Sequence, residues 1–316
     1  MVITESEFRS YPIIEKRLRE KGWDTKSPAR GGDVYTQNEA TLQNKKLKEA
    51  LGALRPEYVV SVRSNNFWVI EAKADERDID IALKQAKERA KLIKATNGID
   101  CRLVTGVAGS PDSTLHIETH CLVGNRWKAL QINNRQSTGF ISPEQAKQVL
   151  DSEKGKLDDY DIPDALFRFK AREINEILHN GAFHKRNRAG ALACLLLALA
   201  NDQQMSVDTE ATVLIDDINT RARRELLKYK KEHFYKEIEI NPPTTTDNHV
   251  KNRDALSKSI VLLRDLNIAS TIDSGRDILG QCYEEFLTYA NDAKEVGIVL
   301  TPRHWRRPYN LTQNLV

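Results

Sequence analysis

Over about the first 150 residues the spacing of hydrophobic positions switches repeatedly between helical and strand periods. Ile14 and Leu18 share one face of a helix that should begin near Pro12, since proline is tolerated in a first helical turn, and end at Gly22. Residues 26–44 are polar and contain glycine, which predicts a loop. Two β-rich runs follow, EYVVSV and FWVIEAKA, on either side of Arg63-Ser64-Asn65-Asn66, so a hairpin is expected. Ile79, Leu83, Ala86, Ala90 and Ile93 recur at helical spacing and predict a helix to about Thr96, closed by Gly98. CRLVTGVAG predicts another strand, and LHIETHCLV and RWKALQI around Gly124-Asn125 predict a second hairpin. Ser142-Pro143-Glu144-Gln145 combines an N-cap, a first-turn proline and a capping-box glutamine, starting a helix that runs to about Ser152.

The charged stretch 151–163 has no apolar periodicity and marks a boundary. Beyond it the pattern is helical over about 164–180, 186–201, 208–235, 250–267 and 275–291, with 241–249 as a loop. The expected architecture is an α/β domain over 1–152, a linker over 153–163 and an all-α region over 164–316.

Composition narrows the class. The chain has 316 residues, 40% hydrophobic and 29% charged, which suits a soluble globular protein of two or three domains. Its longest apolar run, Ala189 to Ala200, is too short for the ~20 residues of a membrane span and predicts a buried helix. The N-terminus has no basic region followed by an apolar one, so no secretion signal is expected. Cys101, Cys121, Cys194 and Cys282 lack CxxC spacing, which fits a reducing cytosol and predicts no zinc site. The net charge of +3 identifies no partner, so any nucleic-acid signal must be local. Local basic runs occur at His184–Arg188, at Arg221, Arg223, Arg224, Lys228, Lys230 and Lys231, and around Trp305. These could meet phosphates or form solvated helix faces. His116 and His120 share a strand face without metal-ligand context and are assigned no role.

The chemistry-bearing segment is Arg55-Pro56-Glu57-Tyr58-Val59-Val60, followed on the second strand by Val69-Ile70-Glu71-Ala72-Lys73. Two carboxylates on one face can hold a hard divalent cation through oxygen. Such a cation polarises a phosphodiester and acidifies a bound water. Lys73, two residues after Glu71, projects to the same side and can orient that water or offset developing charge. The geometry demands that Glu57 share this face. A three-residue loop, Ser64–Asn66, meets the demand, whereas a two-residue loop at Asn65-Asn66 breaks it.

Residues 7–105 resemble the PD-(D/E)xK nucleases, in particular the nuclease domain of type I restriction R subunits and of fused restriction–modification enzymes, where RPDYVL precedes an IEAK strand. The resemblance implies a restriction-endonuclease-like fold and assigns catalysis to Glu57, Glu71, Lys73, Gln85 and Glu15, with Glu57 and Glu71 as ligands of Mg²⁺, for which Mn²⁺ could substitute. Gln85 stands for the family's helical glutamine and Glu15 for its upstream acid, while Arg89 occupies a position that is often aromatic. The family's first acid is usually aspartate, so Glu57 is one methylene longer.

A second resemblance covers 278–304, where LGQCYEEFL leads to GIVLTPRH, similar to the region before the catalytic core of N6-adenine DNA methyltransferases. Val299-Leu300 replaces the family's aromatic pair. The cofactor loop of that family does not appear, and Asn241-Pro242-Pro243 is followed by Thr244 in place of a stacking ring. No methyl transfer is expected from these residues. S-adenosylmethionine would belong to a longer fused enzyme, of which this chain would be the nuclease and helical connector, cut or naturally truncated before the methyltransferase core.

The leading expectation is thus a Mg²⁺-dependent, cytoplasmic DNA endonuclease module acting on double-stranded DNA. Its partners would be methyltransferase and target-recognition domains or subunits, with transient dimerisation for a double-strand cut and no membrane. The alternative is a catalytically degenerate DNA-binding and assembly module of a restriction–modification complex.

Overall fold

A computed structural model describes residues 5–109, 115–152, 154–158, 162–200, 205–207, 209–228 and 230–272. The segment 278–304, with its methyltransferase-like motifs, Cys282 and the basic run around Trp305, lies outside the described residues.

In chain order the first region comprises α1 (Glu5–Glu20), β1 (Val34–Thr36), α2 (Gln37–Gln43), α3 (Lys45–Leu51), β2 (Tyr58–Arg63), β3 (Asn66–Lys73), α4 (Ile79–Ala95), β4 (Asp100–Ala108), β5 (His116–Val123) and β6 (Arg126–Ala129). The six strands form one mixed sheet in the order β1-β2-β3-β4-β5-β6. All neighbours are antiparallel except β3 and β4, which α4 connects as a parallel crossover. Then come β7 (Gln131–Ile132), β8 (Arg135–Gln136), α5 (Pro143–Ser152) and β9 (Lys156–Leu157), the short strands forming a separate sheet, β8-β7-β9. Residues within 153–163, expected as linker, therefore supply β9, which pairs in parallel with β7.

Strand alternation sorts the sheet's side chains into two cores. Tyr58, Val60, Trp68 and Ile70 pack with Ile14 and Leu18 of α1, Phe140, and Val149 of α5. Val59, Phe67, Val69 and Val104 pack on the opposite face with Leu47 and Leu51 of α3 and Ala86, Ala90 and Ile93 of α4. The capping box at α5 forms as its sequence requires, with Gln145 Oε1 accepting from Ser142 N and Ser142 Oγ from Gln145 N.

The first helix does not start near Pro12 but runs through it from Glu5. An interior proline forfeits one helical hydrogen bond, and the burial of Ile14 and Leu18 in the next turns offsets that loss. Residues 26–44 are not a plain loop, since they contain β1 and α2. The helix α2 buries only Ala40 and Thr41, so it shows no apolar stripe, and it is started by reciprocal capping between Thr36 and Glu39.

The second region is helical: α6 (Asp164–Asn180), α7 (Lys185–Leu199), α8 (Ala211–Lys228), α9 (Tyr235–Ile238), α10 (Thr246–Asp265) and α11 (Ile268–Ile272). The apolar run forms α7, buried from Ala191 to Leu196 as the central element of a helical core. The expected helix over 208–235 is interrupted, because Lys230 takes a left-handed φ of 57° after α8. The loop expected over 241–249 is shorter, since α10 begins at Thr246. Among the described residues, no helix is long and apolar enough to cross a membrane.

The helical region is clamped to α1 and the residue after it by buried charge. Lys170 Nζ, on a side chain 1% exposed, donates to Glu20 Oε2 at 2.7 Å and Glu173 Oε2 at 2.9 Å. Arg17 pairs with Asp265 at 3.6 Å, and Lys21 Nζ donates to the Asp265 carbonyl at 2.7 Å. Burial raises the Asp265 carboxyl's proton affinity, but Lys21, Arg17 and Lys170 together hold it below the usual aspartate range. Burial pushes the Lys21 ammonium down, against the pull of Asp265.

Candidate active site

The position of Glu57 follows from the β2–β3 hairpin. Its turn is Ser64-Asn65, with Asn65 at φ 69° and Arg63 opposite Asn66. This differs from the expected three-residue loop. Carried unchanged down the strands, that register would set Glu57 beside Ala72, on the wrong face. A bulge between Ser61 and Arg63 absorbs one residue, after which Ser61 pairs Phe67, Val60 pairs Trp68 and Tyr58 pairs Ile70. One step further, Glu57 comes alongside Glu71. Glu57, Glu71 and Lys73 thereby share the sheet face covered by α3 and α4.

The two carboxylates are enclosed, Glu57 at 9% and Glu71 at 3% exposure. Gln37, the first residue of α2, holds Glu57 twice: its Nε2 donates to Glu57 Oε2 at 2.8 Å and its backbone N donates to the Glu57 carbonyl at 3.1 Å. Glu71 Oε1 lies 3.5 Å from Arg89 Nε, on an arginine side chain 15% exposed. A helical side chain leans toward its own N-terminus. Half-buried Gln85 lies one turn before Arg89 on α4. Lys73 ends β3 at the half-buried rim.

Glu15 is positioned differently. It belongs to α1, whose neighbours Ile14 and Leu18 pack on the opposite sheet face, and its Oε1 sits 3.5 Å from the Tyr58 hydroxyl. Glu57, Glu71 and Lys73 thus share one sheet face, Gln85 lies on the helix that covers it, and Glu15 borders the other face.

Gly106 explains how α4 comes so close. It pairs with Glu71 on one side and Glu118 on the other. A Cβ at Gly106 would stand 2.8 Å from Leu83 Cγ and 3.2 Å from the Ile79 carbonyl oxygen, so the helix rests on bare backbone. The helix divides the row, with Glu57 and Glu71 on one flank and Glu118 on the other. On that far flank His120 Nε2 meets Glu118 Oε1 at 2.7 Å, and this contact lowers the Glu118 carboxyl below its ordinary range. His116 is driven toward its neutral form by burial.

Gln37 and Arg89 are the site residues that sequence reasoning did not assign. The Thr-x-x-Glu capping signal at Thr36 and Glu39 could have located Gln37 at a helix start. For Arg89, the helical spacing from Gln85 was the available signal.

No group of three or more His, Cys, Asp or Glu side chains suited to a metal ion occurs among the described residues. A two-carboxylate set still fits Mg²⁺, which is commonly held by one or two carboxylates, with water and substrate phosphate supplying the remaining oxygens. Buried, oxygen-only donors just before β2 and on β3 match that demand.

Several residues of the basic runs are engaged internally. Arg221 pairs with Asp217 at 2.7 Å, Lys228 with Glu225 at 2.8 Å, and Arg223 with Glu232. Arg188 donates to the Phe183 carbonyl and to Asn175. Asn241-Pro242-Pro243 lies in the loop ahead of α10. Cys101, Cys121 and Cys194 are buried free thiols, and burial pushes Cys101 and Cys194 up to about 12.

No protein-family model matches this chain, and no curated protein matches it.

Proposed function

We propose that the chain is a metal-dependent endonuclease module that hydrolyses phosphodiester bonds in double-stranded DNA. The observation that carries this reading is the convergence of Glu57, Glu71 and Lys73 on one sheet face, achieved through a bulge that corrects the hairpin's parity. The order α1, β1–β3, α4, β4, with β3 and β4 parallel, is consistent with a restriction-endonuclease-like fold.

Glu57 and Glu71 would hold Mg²⁺, or Mn²⁺ in its place. Bound there, the ion would polarise the phosphodiester and acidify a water. Lys73 orients the attacking water and offsets charge developing on the phosphate. Gln37 fixes the Glu57 carboxylate before substrate arrives, which lowers the cost of organising the site. Gln85 positions water or phosphate from α4. Glu15 stays outside the proposed ligand set because it belongs to α1, which packs on the opposite sheet face. Buried reduced thiols agree with work in the cytoplasm. The partners would be methyltransferase and target-recognition domains or subunits, with S-adenosylmethionine confined to a longer fused enzyme. A second copy would be recruited transiently for a double-strand cut.

Lys73→Ala tests the assignment. Cleavage of duplex DNA in Mg²⁺ or Mn²⁺ should fall by about a thousandfold or more while the circular dichroism spectrum stays native. Undiminished cleavage by this variant sinks the proposal. One observation favours the degenerate DNA-binding alternative: Arg89 already partly neutralises Glu71. That alternative requires the wild-type chain to bind DNA without cutting it in any divalent metal.

A further inference from the structure

A guanidinium beside a proposed metal ligand needs an account of its own. Arg89 Nε sits 3.5 Å from Glu71 Oε1, and this buried N–H donates no hydrogen bond. Arg89 also reaches Glu88 Oε2, at 3.9 Å, but that glutamate side chain is 56% exposed and makes a weak partner. The contact with Glu71 is therefore a charge–charge one, with one donor uncommitted. A buried cation held this loosely gives up little when its partner is taken by another ion. Its planar fork of donors is suited to phosphate oxygens.

We propose that Arg89 is an exchangeable counterion: it neutralises Glu71 while no divalent cation is bound, and transfers to a DNA phosphate oxygen when a cation takes the carboxylate. This rests on the proposed role of Glu71 as a metal ligand and adds a positioning role for a residue outside that ligand set. Physically, the buried Glu71 carboxylate keeps a countercharge in both states. Arg89 supplies it in one and the divalent ion in the other. The released guanidinium lies next to the site where phosphate would arrive. Cation and DNA binding are then coupled, since each removes an obstacle to the other.

Two measurements on the full chain test this, using wild type, Arg89→Gln and Arg89→Lys. First, Mn²⁺ binding without DNA is titrated by electron paramagnetic resonance. Removing the competing charge in Arg89→Gln should tighten Mn²⁺ binding about tenfold, whereas Arg89→Lys, which keeps the charge, should stay near wild type. Second, binding of duplex DNA in Ca²⁺ is measured against salt. Arg89→Gln should bind more weakly, with the slope of log K against log salt shallower by about one. Mn²⁺ affinity that is unchanged or weakened in Arg89→Gln overturns the exchange, and so does an unchanged salt slope. If Arg89→Gln does not fold, Arg89→Lys still decides: its point charge should keep the salt slope but lose affinity for the planar phosphate contact, and wild-type DNA affinity overturns the proposal. A wild-type chain that binds no Mn²⁺ at all refutes the metal site itself, and this inference falls with it.

Discussion

Lys170 and Arg89 are both cations enclosed against glutamates, yet their contacts differ in kind. Lys170 is 1% exposed and hydrogen-bonded to two carboxylates, at 2.7 and 2.9 Å, across the junction of α1 and α6. Arg89 is 15% exposed and meets Glu71 at 3.5 Å and the exposed Glu88 at 3.9 Å, with its Nε donor left over. The first arrangement satisfies the desolvated charge and gains only from staying closed. The second leaves capacity on the cation and on the site around it. Buried charge in this protein thus serves two ends, and the closeness of the pairing separates a structural clamp from a site able to exchange partners.

The largest expected effect breaks the clamp. Lys170→Met removes two charged hydrogen bonds and leaves Glu20 and Glu173 with only the half-exposed Lys16, so it should cost about 3 kcal/mol of stability, read as a lower denaturant midpoint. A loss under about 1 kcal/mol would show that solvent reaches the pair and that the two sites are not different in kind.

Asp265 sharpens the same contrast through pH. Its carboxyl is held below the usual range in the fold, so it contributes stability that is complete above the unfolded-state value. That contribution is lost as pH falls below about 4 and through the lower folded-state value. Asp265→Asn should cost roughly 2 kcal/mol near neutrality and flatten this acid limb in thermal unfolding scans. An equally steep limb in the variant would assign it to other carboxylates.

The smallest effect concerns the site. Gln37→Ala removes one hydrogen bond to Glu57 and should lower stability by only about 1 kcal/mol. Cleavage of duplex DNA should nevertheless slow several-fold, because the carboxylate loses its fixed orientation. A variant as unstable as Lys170→Met would place Gln37 with the clamp instead.

How far the fold could be read in advance depended on how local each signal was. The helix at Ile79–Ala95, the strands around Val59 and Val69 and the capping box at Ser142 carry their pattern within a few residues, and each forms as its pattern requires. The helix through Pro12 was not legible, since packing of the following turns outweighs a local penalty. Nor was α2, whose stability comes from a cap and two small buried contacts and not from an apolar stripe. The interruption of α8 near Lys230 rests on one left-handed residue that the composition does not announce.

The sequence by itself determined the alternation of elements and brought Glu57, Glu71, Lys73 and Gln85 forward as a group, because side-chain period and residue chemistry are local properties. Only the tertiary structure decided that Glu57, Glu71 and Lys73 share a face. A strand's facing reverses with a slip of one residue, so the bulge between Ser61 and Arg63 determines the side on which Glu57 lies. The same holds for Gln37, Arg89 and the Lys170 clamp, whose contacts join elements far apart in the chain and depend on how sheet and helices pack.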